Sequence, residues 1–366
     1  MKTYTAQDYL NAIDAFAPFS LVEKWDNTGL LIGSPGQEVS RVLVALDATL
    51  AVIEEAQKEG AQLLITHHPI IFNPLKNIPE DSPVYRAIAS GVAVLCAHTN
   101  LDNAECGIST VLAEMLGLGD AEMLETTKTL PYRKVVVYVP CESAEAVYDA
   151  MSQAGAGRQG SYAGAAFFSD GQGRFLPLQG ANPAVGSVGS LEKVREQRLE
   201  MLVAPSELQQ VLRAMRAAHP YEQPAFDVFE THSGKERVGY GRVGNLRHPL
   251  SPEAFAAYVL EKLNLTGLKY VPGKQDISRV AVCGGSGADL LETAQKMGAQ
   301  ALVSSDAKHN YLLQAQDMGM TLIDAGHYST EAVILPVLAE KLRSALPGAD
   351  IRIARACADP AITIKA

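Results

Sequence analysis

Three short stretches of this 366-residue chain place histidines where apolar runs give out, two of them with carboxylates close by. Thr66-His67-His68-Pro69 follows one such run, His98-Thr99-Asn100-Leu101-Asp102 closes a second, and Asp324-Ala325-Gly326-His327 leads from a third to Glu331. Adjacent residues on a regular strand point to opposite faces, so His67 and His68 converge only where a strand is ending. Pro69 supplies that ending, because it cannot donate to a ladder and holds His68 extended. His327 and Glu331 are spaced i, i+4 and share one face of a helix that starts there. A catalytic zinc typically takes three protein ligands, so three imidazoles and two carboxylates exceed one four-coordinate ion. The set suits two divalent metals about 3.5–4 Å apart, which acidify bound water to a hydroxide able to attack a carbonyl, phosphoryl or ring carbon. The predicted ligands are His67, His68, Asp102, His327 and Glu331. His98 is predicted to orient Asp102 or a metal-bound water. Mixed nitrogen and oxygen donors fit Zn as the leading choice, with Mn, Fe, Co or Ni also compatible.

Other polar residues read more plainly. Asp306, after Ala301–Ser304, is a weaker member of the same pattern. His219, His232 and His248 read as surface or satisfied core residues, two of them preceding prolines at turn positions. Asp26 and Asn27 in WDNTGLLIG read as turn-shaping residues that border the site, and Trp25 as packing. Two G-x-G-x-x-G matches, Gly155–Gly160 and Gly239–Gly244, lack the strand-then-helix context of a dinucleotide fingerprint. Gly284–Gly287 reads as a tight strand-to-helix turn whose amides can face an anion. Neither Gly-Lys pair sits in a Walker A loop, which excludes a P-loop NTPase.

The elements that carry these residues alternate. Arg41–Asp47, Leu50–Glu59 and Gln62–Thr66 read as strand, helix and strand, and Val92–Thr99 as a further strand before a helix at 108–116. In the last third, Arg279–Cys283, Ala301–Ser304 and Thr321–Ala325 read as strands separated by helices at 288–297 and 311–318, with a final helix over Thr330–Leu342. The middle reads β-α-β-β-α-β, the ferredoxin-like order, with a Gly- and Pro-rich stretch from Gly171 to Gly189 between its central strands. The predicted architecture is one discontinuous α/β domain with a mostly parallel sheet, residues 1–130 plus 237–366, interrupted by an α+β insert at 131–236. Ligands of open α/β sheets bind beyond the carboxyl ends of the strands, which is where the histidines fall.

Composition sets the outer bounds. Apolar residues make up 47% and charged residues 20%, ordinary for a chain with a sizeable core and not for a disordered one. Lys and Arg total 31 against 41 Asp and Glu, a net charge of −10 that repels phosphate backbones and argues against nucleic acid as the main partner. No apolar run is long enough for a membrane span, and the N-terminus reads as that of a mature protein. Five cysteines without a C-x-x-C pair point to a reducing, cytoplasmic setting.

WDNTGLLIG (25–33), LITHHPIIF (64–72), AHTNLD (97–102), GGSG (284–287) and DAGHYSTE (324–331) together resemble the Nif-three-like family, whose members are often labelled GTP cyclohydrolase I type 2 homologs. GANPAVGSVGSLEKVREQRLEML and HPYEQPAFDVF resemble the PII/CutA-like insert of longer bacterial members. The resemblance implies a dinuclear divalent-metal site on His67, His68, Asp102, His327 and Glu331. It also implies a ring-shaped homohexamer whose metal sites face an internal cavity, with the inserts covering the openings. One motif departs. Many members carry Gly-Asp with a histidine four residues on, where this chain has Ser305-Asp306 and Asn310, with His309 one place early; Asp306 and His309 are therefore not assigned to metal. The expected function is metal-dependent hydrolysis of a small heterocyclic or anionic substrate. The alternative is a metal-binding regulatory or trafficking protein with a ligand-sensing insert and no turnover.

Overall fold

The computed structural model describes residues 2–362, which form two compact units. The first comprises the residues up to Thr127 together with those from Val238 onward, and the second is Lys128–Arg237.

The first unit is mixed α/β and holds two main sheets where a single mostly parallel one was expected. The first has five strands in the order Asp350–Ile353, Arg41–Ala45, Leu63–Thr66, Ala93–Cys96, Gly29–Ile32, and only the last edge is antiparallel. The second has six, in the order Lys269–Val271, Thr321–Asp324, Ala301–Ser305, Ile277–Ser286, Arg242–Leu250, Gly119–Met123. Three of its five pairings are antiparallel. The sequence showed each β-α-β unit but not which units share hydrogen bonds, so the split was invisible. The runs VLVA, LLIT and AVLC are buried throughout, as expected for strands covered on both faces. Leu46, Ile65, Leu95 and Leu338 pack on one side of the first sheet, and Leu43, Ile53, Leu64 and Val94 on the other.

Local chemistry sets the connecting helices. Thr49 caps Leu50–Glu59 through the amide of Val52, and Gly60 ends it in the left-handed region at φ +67°. Ser82 and Ser251 cap helices that open with Pro83 and Pro252, where a missing N–H costs nothing. The expected helix over Thr330–Leu342 is broken: His327–Glu331 is a short helix of its own, and Ile334–Ala345 follows. That short turn carries both predicted ligands of the third motif.

The second unit has one antiparallel sheet, ordered Phe226–Val238, Lys128–Pro140, Glu192–Val203, Ala166–Phe175. Helices Ala144–Gln153 and Leu208–Ala218 supply Val147, Met151, Val211 and Met215 to a core with Val135, Val137, Leu199 and Met201. All five cysteines are free thiols. Among the described residues no helix is long and apolar enough to cross a membrane.

Candidate metal centre

Within the first unit, the carboxyl ends of parallel strands from both sheets supply one cluster. His67 and His68 follow Leu63–Thr66 directly. Ala93–Cys96 ends earlier than the expected Thr99, leaving His98 to cap the short helix Thr99–Asn103 that carries Asp102. From the second sheet, Thr321–Asp324 runs out before His327, and Glu331 lies one turn later.

Each imidazole is held by its Nδ1. His67 Nδ1 lies 3.0 Å from the Ala97 carbonyl, His68 Nδ1 2.9 Å from Asp47, His98 Nδ1 2.8 Å from Asp26 and His327 Nδ1 2.8 Å from Asp306. A carbonyl or carboxylate only accepts, so the ring proton sits on Nδ1 and Nε2 is left to take a second proton or a metal. This is the arrangement that orients metal-ligating histidines. The Nε2 atoms of His68 and His327 each lie 3.1 Å from an oxygen of Glu331, and that of His67 lies 3.7 Å from Glu331 and 3.8 Å from Asp102. The donor atoms of His67, His68 and His98 lie within 4.8 Å of one another, as do those of His68, His327 and Glu331.

Two atoms reveal what the cluster lacks. His67 Nε2 and Glu331 Oε2 are fully buried with no hydrogen-bond partner, the 3.1 Å approach of His68 to Glu331 lacking hydrogen-bond geometry. An unmade bond of this kind costs about 1–3 kcal/mol, more for a charged group. Divalent cations satisfy such a donor set at once, so the residues fit the group the sequence implies. Among them Glu331 reaches both histidine groups, and Asp102 joins through His67.

The electrostatics follow from the geometry. Burial works against ionising Glu331, yet His67, His327 and His68 hold its carboxyl far below the ordinary range. Asp102 is pushed up by burial, which outweighs the histidines around it. In the metal-free protein His68 is raised to about 10, because Asp47 and Glu331 overcome its burial, and Glu331 with Asp306 lifts His327 to about 9. Asp26 is lowered to about 2: burial alone would raise it, but hydrogen bonds from His98 and Thr99 prevail.

Gly285 makes room for the central carboxylate. A Cβ there would lie 2.2 Å from Glu331 Oε1, and the residue sits at φ +63°. The expectation that the GGSG amides face an anion is corrected: Gly284, Gly285 and Gly287 donate to Ser109, Thr330 and Ser304. The glycines serve close packing instead.

Several contributors were missed or underweighted. Asp47 lies just past the strand Arg41–Ala45, a signal identical to that of the other motifs. Asp26 was read as turn-forming, yet its side chain is fully buried against His98. Asp306, at φ +53°, orients His327, while His309 opens the helix that follows, exposed to solvent. Trp25 is not packed: it is 60% exposed and touches His98 and Phe72. His219 is buried, donating from Nε2 to the Tyr138 carbonyl, whereas His232 and His248 are exposed.

The fold and cluster define a mixed α/β protein with histidine and glutamate groups able to hold metal at the carboxyl ends of two sheets. The sequence matches the Duf34/NIF3 (NGG1p interacting factor 3) family over residues 4–360, and the chain belongs to that family. A Bacillus subtilis protein named GTP cyclohydrolase 1 type 2 homolog is 38% identical over 349 residues, covering 94% of this chain and 93% of its own. The crystal structure of a Bacillus cereus protein related to NIF3 superimposes with a TM-score of 0.79 at 34% identity, covering both chains fully. A Staphylococcus aureus structure does so at 0.70 and 29%.

Proposed function

We propose that this protein is a metal-dependent hydrolase of small heterocyclic or anionic substrates, with two divalent ions held by His67, His68, Asp102, His327 and Glu331. The observation that carries this reading is the buried, unpartnered pair of His67 Nε2 and Glu331 Oε2 within a set of Nδ1-anchored imidazoles. Divalent ions bound here supply Lewis acidity for the hydrolytic step. The chain's own part is to keep Glu331 ionised between its histidines, fix each ring through Asp47, Asp26, Asp306 or the Ala97 carbonyl, and exclude water from His67. The relatives' printed names support purine-ring hydrolysis as the first chemistry to test. The family resemblance extends the proposal to a cytoplasmic homohexamer and a PII/CutA-like second unit.

Elemental analysis of protein purified without chelators tests the centre. The expected result is about two divalent ions per chain, falling sharply in His68→Ala that remains folded. Absence of metal in the parent, with none taken up on titration, would overturn the reading. Metal without turnover of GTP or related heterocycles would favour a second reading, in which the protein senses a ligand. That reading draws on a cavity of about 940 Å³ in the second unit, lined by Phe175, Pro177, Leu178, Arg198, Tyr221 and the buried Glu196. Its signature is a small molecule whose binding is lost in Arg198→Ala, kept in His68→Ala, and accompanied by no turnover.

A further inference from the structure

The only tryptophan of the chain stands on the turn before Asp26, with its indole 60% exposed. Phe72, on the turn after His68, is 47% exposed. Their ring centroids lie 6.0 Å apart and the planes meet at 52°, an open corner rather than a closed stack. Both rings meet His98 nearly at right angles, with centroids 6.2 and 6.4 Å away, and the His98 ring lies 5.0 Å from His67 and 5.7 Å from His68.

The corner is built rather than loose. Asp26 accepts from His98 Nδ1 at 2.8 Å and from the Thr99 amide at 3.1 Å, and its own amide donates to the Glu23 carbonyl at 3.0 Å. Asn27 Nδ2 donates to the Ile71 carbonyl at 2.6 Å, tying together the two turns that carry the rings. Two large aromatics on cross-linked turns keep apolar faces in water at a cost that folding alone does not require.

We infer that Trp25 and Phe72 form a stacking platform for the planar nitrogen heterocycle of the substrate, beside His98 and the metal-binding cluster. The inference rests on the hydrolase reading and narrows its substrate to a flat, ring-bearing molecule. An aromatic face takes any such ring through dispersion and its quadrupole, without reading hydrogen bonds. Stacking on Trp25 places the ring's substituents next to His98, the one histidine that contacts both the aromatic corner and His67 and His68. The platform sets orientation, and the chemistry belongs to the neighbouring cluster.

Because the chain has one tryptophan, its fluorescence reports this corner alone. The test titrates the full-length protein with guanosine, and separately with ribose 5-phosphate, which has no base. Guanosine is expected to quench the emission saturably while ribose 5-phosphate leaves it unchanged. Phe72→Leu should weaken the guanosine effect about tenfold, the loss of one stacking contact. Trp25→Leu, followed by calorimetry, should weaken it at least as much while its metal content and circular dichroism stay those of the parent. Equal quenching by ribose 5-phosphate, no quenching by guanosine, or an indole emission typical of burial and inaccessible to acrylamide would each overturn the platform. Repeating the titration in His68→Ala separates the two readings. Quenching that survives without metal upholds the platform whatever becomes of the hydrolase. Quenching lost there assigns the guanosine effect to the metal cluster and overturns the platform.

Discussion

Among the described residues two glutamates are buried, each over a glycine, and they are opposites. Glu331 in the first unit is 4% exposed, above Gly285, and faces three imidazoles. Glu196 in the second is 8% exposed, above Gly173, and accepts the Tyr221 hydroxyl at 3.0 Å. Tyr221 is itself braced: its amide donates to His219 Nδ1, and its ring lies 5.5 Å from Phe175 and 5.1 Å from His219. A phenol brings its own proton, so Glu196 has a partner that is complete without any guest. The imidazoles around Glu331 have spent their Nδ1 protons elsewhere and meet it with Nε2, which needs a second proton or a metal. The difference teaches that burial of a carboxylate is not itself a site; what its neighbours still lack decides.

The largest expected effect comes from exchanging the two glycines. Gly285→Ala strains a left-handed residue and drives a Cβ into Glu331, so metal content should fall to a small fraction of the parent's by elemental analysis. Gly173→Ala crowds Glu196 instead; by the usual cost of overpacking it should lose about 1–3 kcal/mol of stability in denaturant titration, with metal retained. Equal metal loss in both would erase the contrast.

Asp47→Asn sharpens it further. The amide can no longer hold the His68 ring as a charged acceptor, and metal affinity measured by competition with a chelator should drop about 10–100-fold.

The pH response should differ in sign from that of an ordinary acidic chain. A histidine whose folded pKa stands above its unfolded value near 6.5 adds stability that is whole below that value and lost as pH climbs through the folded one. With His68 at about 10 and His327 at about 9, the Tm of chelator-treated protein should fall between pH 7 and 10. The metal-loaded protein should hold its Tm over the same window, since cations replace those protons. Parallel curves would show that the cluster does not exchange protons for metal.

The smallest effect belongs to the self-sufficient pair. Tyr221→Phe removes one hydrogen bond to Glu196 and should cost roughly 1 kcal/mol by thermal unfolding, leaving metal content untouched.

The ligand positions were legible because strand ends are marked locally: apolar runs stop at His67, His98 and Asp324, and Pro69 and Gly326 punctuate them. The ferredoxin-like element order of the middle third was legible for the same reason, since hydrophobic periodicity is a property of neighbours in sequence. What holds the histidines was not. Asp26 and His98 are separated by 72 residues, and Asp47 and Asp306 each lie 21 residues from the ring they anchor. Position past a strand end marks Asp47 and Asp306 without telling which ring each anchors, and nothing local distinguishes Asp26 from a turn former.

Tertiary structure alone decided three matters. It divided the strands between two sheets, because pairing depends on which edges meet and not on the pattern within each run. It left Trp25 in water, because whether an aromatic packs depends on what the rest of the chain places over it. It also set Glu331 over Gly285, 46 residues earlier in the chain, since only folding brings the carboxylate to a backbone position where a Cβ would collide with it. Sequence spacing determined which side chains could do the chemistry; the meeting of two sheets at their carboxyl ends determined that they would face one another.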